Sequence, residues 1–567
     1  MTFQDLVTIA PLAAAILLAA ALVAVDIAWP GRHSPVLIVS LGGLAIIFLL
    51  TLVTGATDAT AFGGAYKVDA LTTFLDGLFV LIVAFTIVFG PDYLAPRRLP
   101  LAEFAIVLVF AMTGAMLLAA SADLLVLFIG LELMILPGYL LAGYHKSDGY
   151  STEGAIKYFL LGSFSSAIFL FGLAFVWGLT GTTRVAEVAE GLAALAASGG
   201  VSTGLALGLA FMTTGVAFKI AAVPFHYWTP DAYQGSPTPV TGYLSVGPKI
   251  GAFALILRLF AEALGPLKAD WLAIIVVLAV LTMTLGNLVA LTQTNVKRML
   301  AYSSIAHTGY MLVGLAAFAA GRIEGLEGLI YYGAAYSFMN LGAFAVIAAL
   351  QKRAGVTSNL DTFAGLGRRE PWLGILMTLF LLSLTGIPPT AGFFAKALVI
   401  LPAVQASQDG VGVLGFLAVI TVLNAAAAAF YYLRVVVYMF MREPSSEEPA
   451  LSHGRLLWGG RELARRAPAR PAATSWRYGV TVTPGRICER FSAIVSGPMP
   501  PSAPARMIPS RSTQKWTGSA ATSQAVAAAP SASSPIGKIA LRLWANAATV
   551  PSSSRMSIAT TTRPVSA

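Results

Sequence analysis

From residue 7 to residue 441 the chain is a succession of apolar runs, each close to the ~20 residues one helix needs to cross the hydrocarbon core of a bilayer. About thirteen runs meet that yardstick. They fall near 7–28, 36–54, 72–92, 101–119, 122–143, 152–178, 203–225, 237–262, 271–292, 299–319, 326–350, 371–402 and 411–441. With 57% hydrophobic and only 11% charged residues, the composition excludes a soluble domain and predicts an all-α polytopic membrane protein. The opening segment, MTFQDLVTIAPLAAAILLAAALVA, has no basic n-region and no clear cleavage site. It reads as a retained first helix, not a removed signal peptide.

Loop charges set an expected orientation. Loops after odd-numbered runs carry eleven Lys or Arg, among them Arg97, Arg98, Lys146, Lys297, Arg298, Lys352 and Arg353. Loops after even-numbered runs carry four, Lys67, Arg184, Lys268 and Arg322, with Arg258 near a helix end as a fifth. Lys and Arg accumulate in cytoplasmic loops, so the odd loops are expected in the cytoplasm and the N-terminus outside it. The formal net charge of +10 does not imply a nucleic-acid partner, because it is confined to one end. From Leu451 onward there are fifteen Lys+Arg and two acids, which leaves 21 basic against 24 acidic residues before it.

Two runs contain helix breakers beside a lysine. In FMTTGVAFKIAAVPFHYWTPDAYQGSPTPVTGYLSVGPKI (211–250), five prolines accompany Lys219 and Lys249. In LLSLTGIPPTAGFFAKALVILPA (381–403), Gly386, Pro388, Pro389 and Gly392 precede Lys396. Proline removes an N–H and clashes with the preceding turn, and a charge beside such a break at membrane depth is kept for ion or substrate movement. The breaks fall in the seventh and twelfth runs. An offset of five is odd, so two five-helix repeats of opposite topology are expected. The corresponding division is 1–100 for three N-terminal helices, 101–262 for the first repeat, 271–443 for the second and 444–567 for a basic, low-complexity tail. That tail is rich in Arg, Ser, Pro and Ala, has no helical period, and reads as disordered.

Six residues are candidates to carry chemistry. Glu132, in LLVLFIGLELMILPGYLL, must be paired or neutralised in so apolar a run. Lys219 is its expected partner, either as a static ion pair or as a lysine that loads and releases a proton. Lys157 is four residues from Glu153 on one helix face, which fits a solvated pair as well as a functional one. Lys249 follows Gly247 and Pro248 well inside a run. His307 has Tyr302, Ser303 and Ser304 as polar neighbours and is either a hydrogen-bonded core histidine or a relay. Lys396 follows the second break. His226, Tyr227, Trp228 and Asp231 suggest an interfacial turn with the aromatics at headgroup level.

The sequence has no Walker P-loop, no dinucleotide fingerprint in a strand–helix context and no HExxH. Its single cysteine, Cys488, cannot build a disulfide framework, a thiolate zinc site or an iron–sulfur cluster. No cofactor is therefore expected on this chain, and no metal.

Four stretches carry a family resemblance: LFIGLELMILPGYLL (127–141), WTPDAYQGSPTPVTGYLSVGPK (228–249), TQTNVKRMLAYSSIAHTGYMLVG (292–314) and GIPPTAGFFAKALVI (386–400). Over residues 1–443 the chain resembles the antiporter-like subunits of bacterial proton-pumping NADH:quinone oxidoreductase, respiratory complex I. The family is related to subunits of multisubunit sodium/proton antiporters, which remain the alternative reading. The resemblance implies fourteen helices, two inverted five-helix repeats and an extracytoplasmic N-terminus in a bacterial inner membrane. It implies proton transfer at Glu132, Lys157, Lys219, Lys249, His307 and Lys396, with Glu153 a weaker match. NADH, FMN, iron–sulfur clusters and quinone would be held by partner subunits. The expected partners are neighbours resembling subunits M and K, and the lateral helix of subunit L. Lysine at Lys396 resembles the subunit N branch, where the M branch has glutamate. The fourteenth helix has no counterpart after Met441, and a shifted reading frame in a GC-rich gene would produce the Arg-, Ala-, Pro- and Ser-rich tail. A basic tail on the anionic cytoplasmic leaflet, with ~1 kcal/mol per Lys or Arg, is the competing reading.

Overall fold

The computed structural model describes residues 2–56, 58–199, 202–351 and 357–443. The tail with Cys488, its shifted-frame reading, and the charges Lys352 and Arg353 lie outside the described residues.

Among the described residues the chain is helical almost throughout. It opens with α1 (Phe3–Thr8), α2 (Ala10–Ala28) and α3 (His33–Thr54), then a short hairpin of β1 (Ala59–Ala61) and β2 (Tyr66–Val68). Next come α4 (Ala70–Leu94), α5 (Leu101–Ala119), α6 (Leu124–Ala142), α7 (Gly149–Thr180) and α8 (Val185–Gly199). The middle of the chain holds α9 (Thr203–Lys219), α10 (Trp228–Gly235) and α11 (Thr238–Ile256), the last continued by a π-helical turn over Leu257–Ala263. The final helices are α12 (Lys268–Thr292), α13 (Val296–Ala319), α14 (Glu324–Leu350), α15 (Leu366–Arg369), α16 (Pro371–Thr385), α17 (Ala391–Gln408) and α18 (Gly412–Met441).

Several helices start where a side-chain oxygen satisfies a free N–H of the first turn. Asp69 accepts from the Thr72 amide at α4, Asp123 from Leu125 at α6, and Asn295 from Arg298 at α13. The hairpin is pinned beside the end of α5 and the start of α6 by Lys67 N–H to Ala120 O at 2.8 Å and Ala122 N–H to Ala65 O at 2.9 Å.

The core is centred on α11, whose every residue from Thr238 to Ile256 is buried. It packs against α4, α5, α6 and α14. Helices α12 and α13 approach closely enough that only glycine fits at their crossing. A Cβ on Gly309 would lie 2.6 Å from the Met283 nitrogen, and one on Gly286 would lie 2.7 Å from the Ala306 nitrogen. Close backbone approach through small residues is how helices gain contact where lipid removes the hydrophobic driving force. The outward faces of α3, α7 and α18 are lined with Ile38, Leu49, Phe164, Phe171, Phe416 and Phe430, all exposed and apolar as a lipid-facing surface requires.

Among the described residues ten helices are long and apolar enough to cross a membrane by length and composition, fewer than the thirteen expected runs. The shortfall has a physical cause in each case. The seventh and twelfth runs are split by their breaks, leaving α9 and α16 as shorter apolar helices. The tenth, α13, is long enough but carries Ser303, Ser304, His307 and Thr308, all buried, which lower its hydropathy. Two further differences concern polar residues near the first break. Trp228 was expected at the headgroups but is 3% exposed, stacked on Tyr158 with centroids 4.1 Å apart, and His226 is buried beside it. The break turns α10 back against α7, so these rings face protein; Tyr227 alone of the three aromatics stays exposed. Lys297, read as a cytoplasmic loop charge, is 4% exposed and donates to Ser236 O at 2.5 Å.

Candidate functional site

The two breaks place their lysines differently. α16 ends at Gly386, which adopts φ +89° and lets the chain leave the helix. The amides of Gly386 and Ile387 take up Leu382 O and Ser383 O, which leaves the Leu384 and Thr385 carbonyls for other donors. Lys396, in the second turn of α17, reaches back and donates to Leu384 O at 3.0 Å and Thr385 O at 2.5 Å. The ammonium thus sits at the negative end of the α16 dipole. Lys219 is the last residue of α9. Its Nζ donates to Ser166 Oγ at 2.7 Å and Gly162 O at 3.3 Å, both on α7.

Lys249 lies on α11 and donates to Ser304 on α13, both to the hydroxyl at 2.6 Å and to the carbonyl at 2.7 Å. The same hydroxyl accepts from Tyr336 at 2.8 Å. His307, one turn further along α13, is held through Nδ1 to the Tyr332 hydroxyl at 2.8 Å and through Nε2 to the Tyr432 hydroxyl at 3.2 Å. Tyr432 in turn makes a short contact with Ser303. Two links join this cluster to the breaks. Thr308 donates both to Ile220 O, next to Lys219, and to Ser304 O, which Lys249 also contacts. The Tyr310 ring packs edge-on against His307, and Lys396 Nζ lies 5.2 Å from that ring's centroid.

The structure therefore brings Lys219, Lys249, His307 and Lys396 into one buried polar lane. Glu132 lies to its side. Its Oε1 is buried without a hydrogen-bond partner, and among the described residues no ion pair joins it to Lys219. Lys157 is not part of the lane. It is 42% exposed and bonds Glu153 Oε1 and Asp231 Oδ2, each at 2.6 Å. Asp231 also accepts from Arg298 at 2.7 Å. Burial pushes the Asp231 carboxyl up, but hydrogen bonds from Lys157 and Arg298 outweigh it and hold the group below the usual carboxylate range. The result is a charged clasp of α7, α10 and α13 at the rim.

The sequence reading missed Tyr332, Tyr336 and Tyr432, and also Ser166 and Thr308. The signal for the first two is their spacing of four on α14, which puts both hydroxyls on the face toward α13. Tyr302, flagged beside His307, is half-buried and has the Arg298 guanidinium 6.0 Å from its ring centroid instead.

Comparison with known proteins agrees with this geometry. Residues 121–421 match the family described as the transmembrane region of NADH:quinone oxidoreductase and the Mrp antiporter. The subunit N of NADH-quinone oxidoreductase from Trichlorobacter lovleyi is 45% identical over 397 residues, covering 70% of this chain and 79% of that one. A chain of respiratory complex I from Thermus thermophilus superimposes with TM-score 0.63 at 32% identity, over 78% of this chain and 92% of its own. A chain of the Mrp complex from Dietzia shares the fold, with TM-score 0.69 at 24% identity over 82% of this chain and 87% of its own. A polytopic helical protein with two broken helices and a lane of buried lysines is an antiporter-like membrane subunit. Within that class, the chain belongs to the subunit N family of NADH-quinone oxidoreductase.

Proposed function

We propose that the chain is the proton-translocating membrane subunit of an NADH:quinone oxidoreductase, working through Lys219, Lys249, His307 and Lys396 under the control of Glu132. One observation carries this reading. Each of the three lysines is at most 6% exposed, yet each ammonium is held by neutral hydroxyl and carbonyl oxygens rather than by a carboxylate. A structural buried cation is normally matched by an anion. A lysine held by neutral dipoles can gain or lose its proton when a nearby charge changes.

In this mechanism a charge change at the neighbouring subunit alters the pull of Glu132 on Lys219. Lys219 passes its proton to Lys249, then by His307 toward Lys396, and Lys396 releases it outside. The chain sits in the bacterial inner membrane with its N-terminus outside, following the loop charges. Helices within 101–262 and 271–443 form the two inverted repeats, with α9–α10 and α16–α17 as corresponding broken members. Neighbours resembling subunits M and K and the lateral helix of subunit L supply the mechanical and electrostatic coupling. NADH, FMN, iron–sulfur clusters and quinone belong to partner subunits.

The test is Glu132→Gln in the assembled complex. Gln preserves volume and removes the charge, so assembly persists while proton pumping and NADH:quinone turnover fall together. Coupled activity close to wild type would refute the assignment of Glu132.

A further inference from the structure

Two buried polar groups lie outside the lysine lane. One is charged. Arg258, in the π-helical turn after α11, donates to both oxygens of Asp69 at 2.8 and 2.9 Å and to Glu262 Oε1 at 2.7 Å, and Lys67 lies 3.0 Å from Asp69. Two cations meet two carboxylates there, so this group is matched charge for charge. The other is neutral and borders the lane. Its centre is Asn287 on α12, which has no exposed surface.

An amide in so apolar a helix is costly unless its hydrogen bonds are made. Asn287 Nδ2 donates to Met283 O and to the Tyr310 hydroxyl, both at 2.8 Å, and to Asn424 Oδ1 at 3.2 Å. Its Oδ1 accepts from the Tyr431 hydroxyl at 3.1 Å. Nδ2 has two hydrogens for three acceptors, so the two shorter bonds take them and the Asn424 contact is secondary. Asn424 is held independently, donating to Ile420 O at 3.0 Å and to Thr284 Oγ1 at 3.2 Å. The meeting of Asn287 with Tyr310 is set by the backbone. Gly286 precedes the first and Gly309 precedes the second, and these are the two glycines of the α12–α13 crossing.

Both tyrosines bear on the lane. The Tyr310 ring stands nearly perpendicular to His307, and the Lys396 ammonium lies over it, 5.2 Å from its centroid. The Tyr431 ring packs on Tyr432 with centroids 4.4 Å apart, and the Tyr432 hydroxyl meets His307 Nε2. Asn287 itself bonds neither His307 nor Lys396. One end of its amide holds the ring between them, and the other braces the neighbour of the tyrosine on His307. A cation over an aromatic ring is stabilised and a neutral amine is not. Where that ring stands therefore changes how strongly Lys396 holds a proton.

We propose that Asn287 is a positioning residue for proton transfer between His307 and Lys396, holding the Tyr310 ring over the Lys396 ammonium. The inference rests on the lysine lane proposed above, and adds to it a control of the last transfer by a residue outside the lane. The helices packed against α17 are α13, α14, α16 and α18. They bring His307 and Tyr310 from α13, Tyr331, Tyr332 and Tyr336 from α14, and Tyr431 and Tyr432 from α18. Lys297, Arg298 and Tyr302 stand at the start of α13, and Arg434 and Tyr438 follow further along α18. The carboxylates on these helices are Glu324, exposed, and Glu327, half-buried, both in the first turn of α14; α16 carries no titratable residue.

The test is the pH profile of NADH-driven proton uptake by inverted vesicles carrying the assembled complex, with electron transfer to an artificial acceptor reporting assembly. Asn287→Leu keeps the volume and removes the amide. Its alkaline limb should move to lower pH by about 0.5–1 unit, which is about a three- to tenfold weaker hold on the proton. Tyr310→Leu should move the limb at least as far, and the double variant no further than Tyr310→Leu, since Asn287 acts through the ring. Asn424→Ala cuts bonds between α18 and α12 but leaves both Asn287–tyrosine bonds in place, so its profile should match wild type even where its stability falls. An unmoved limb in Asn287→Leu, the same shift in Asn424→Ala, or a larger shift in the double variant than in Tyr310→Leu overturns the proposal. Where Asn287→Leu does not assemble, Tyr310→Phe cuts the same bond from the other side and keeps the ring. Its limb must move the same way, and an unmoved limb overturns the proposal equally. Lys396→Ala separates the two readings. If it pumps normally, the lane fails at Lys396; if it does not pump while Asn287→Leu keeps the wild-type profile, only the present inference fails.

Discussion

Replacing Ser304 by alanine removes one oxygen from the centre of the buried lane. That oxygen accepts from the Lys249 ammonium at 2.6 Å and from the Tyr336 hydroxyl at 2.8 Å, and Ser304 has no exposed surface. A hydrogen bond to a charged donor contributes ~1.5–3 kcal/mol. The Ser304 carbonyl still holds the ammonium at 2.7 Å, so the proton stays but is held less tightly, by about ten- to hundredfold at 1.4 kcal/mol per decade. The Tyr336 hydroxyl is also stranded, which adds ~1–3 kcal/mol of destabilisation. Tyr336→Phe should be milder, because it removes one neutral bond of ~0.5–1.5 kcal/mol and strands nothing charged. The double variant should be less damaging than the sum by about 1 kcal/mol, since the stranded hydroxyl is then gone. The assay is NADH-driven proton uptake by inverted vesicles, with electron transfer to an artificial acceptor reporting assembly. Pumping by Ser304→Ala within about twofold of wild type would show that Lys249 does not use this oxygen to hold a transferred proton.

Lys219→Arg should abolish pumping as fully as Lys219→Ala, because a guanidinium keeps its proton at any accessible pH; normal pumping by the Arg variant would make Lys219 a structural cation. Lys396→Ala should reduce pumping by stranding Leu384 O and Thr385 O. Lys396→Glu should retain part of the rate only as the neutral acid, so its activity should decline as pH rises; a flat pH profile would place the outlet elsewhere. Lys157→Ala should leave pumping within about threefold and cost at most ~1 kcal/mol of stability, since Lys157 is 42% exposed and Arg298 still holds Asp231. Loss of pumping in that variant with assembly intact would return Lys157 to the relay.

The spans were legible because each must bury about twenty apolar residues, and that demand writes itself into sequence. The breaks were legible for a similar reason: prolines and Gly386 stand beside Lys219 and Lys396, and few other contexts tolerate that combination. What the sequence hid was partnership. Tyr332, Tyr336 and Tyr432 look like core aromatics until their hydroxyls are seen on His307 and Ser304. Lys297 was hidden by its address, since counting loop charges assumes that a lysine between apolar runs meets water. Arg258 and Asp69 are 189 positions apart, and nothing local marks them as a pair. The expected Glu132–Lys219 contact failed for the converse reason. Opposite charge and similar depth do not fix side-chain direction, and Lys219 instead finds the Ser166 hydroxyl.

That failure bears on how the two breaks differ. At the second, the α16 carbonyls hold Lys396 directly, and among the described residues no carboxylate forms an ion pair with it. Its environment is fixed by the backbone and has no charge of its own to change. At the first, Lys219 rests on a serine hydroxyl and one longer carbonyl contact, while the Glu132 charge acts on it from beyond ion-pair distance. Two arrangements are then open to Lys219 that Lys396 lacks: toward Ser166, or toward the unpartnered Glu132 oxygen. Moving between them exchanges a neutral partner for a charged one. In the mechanism proposed above, control of the transfer therefore belongs at Glu132 and Lys219. On that reading Lys396, bound to backbone carbonyls of α16, follows the proton it is given.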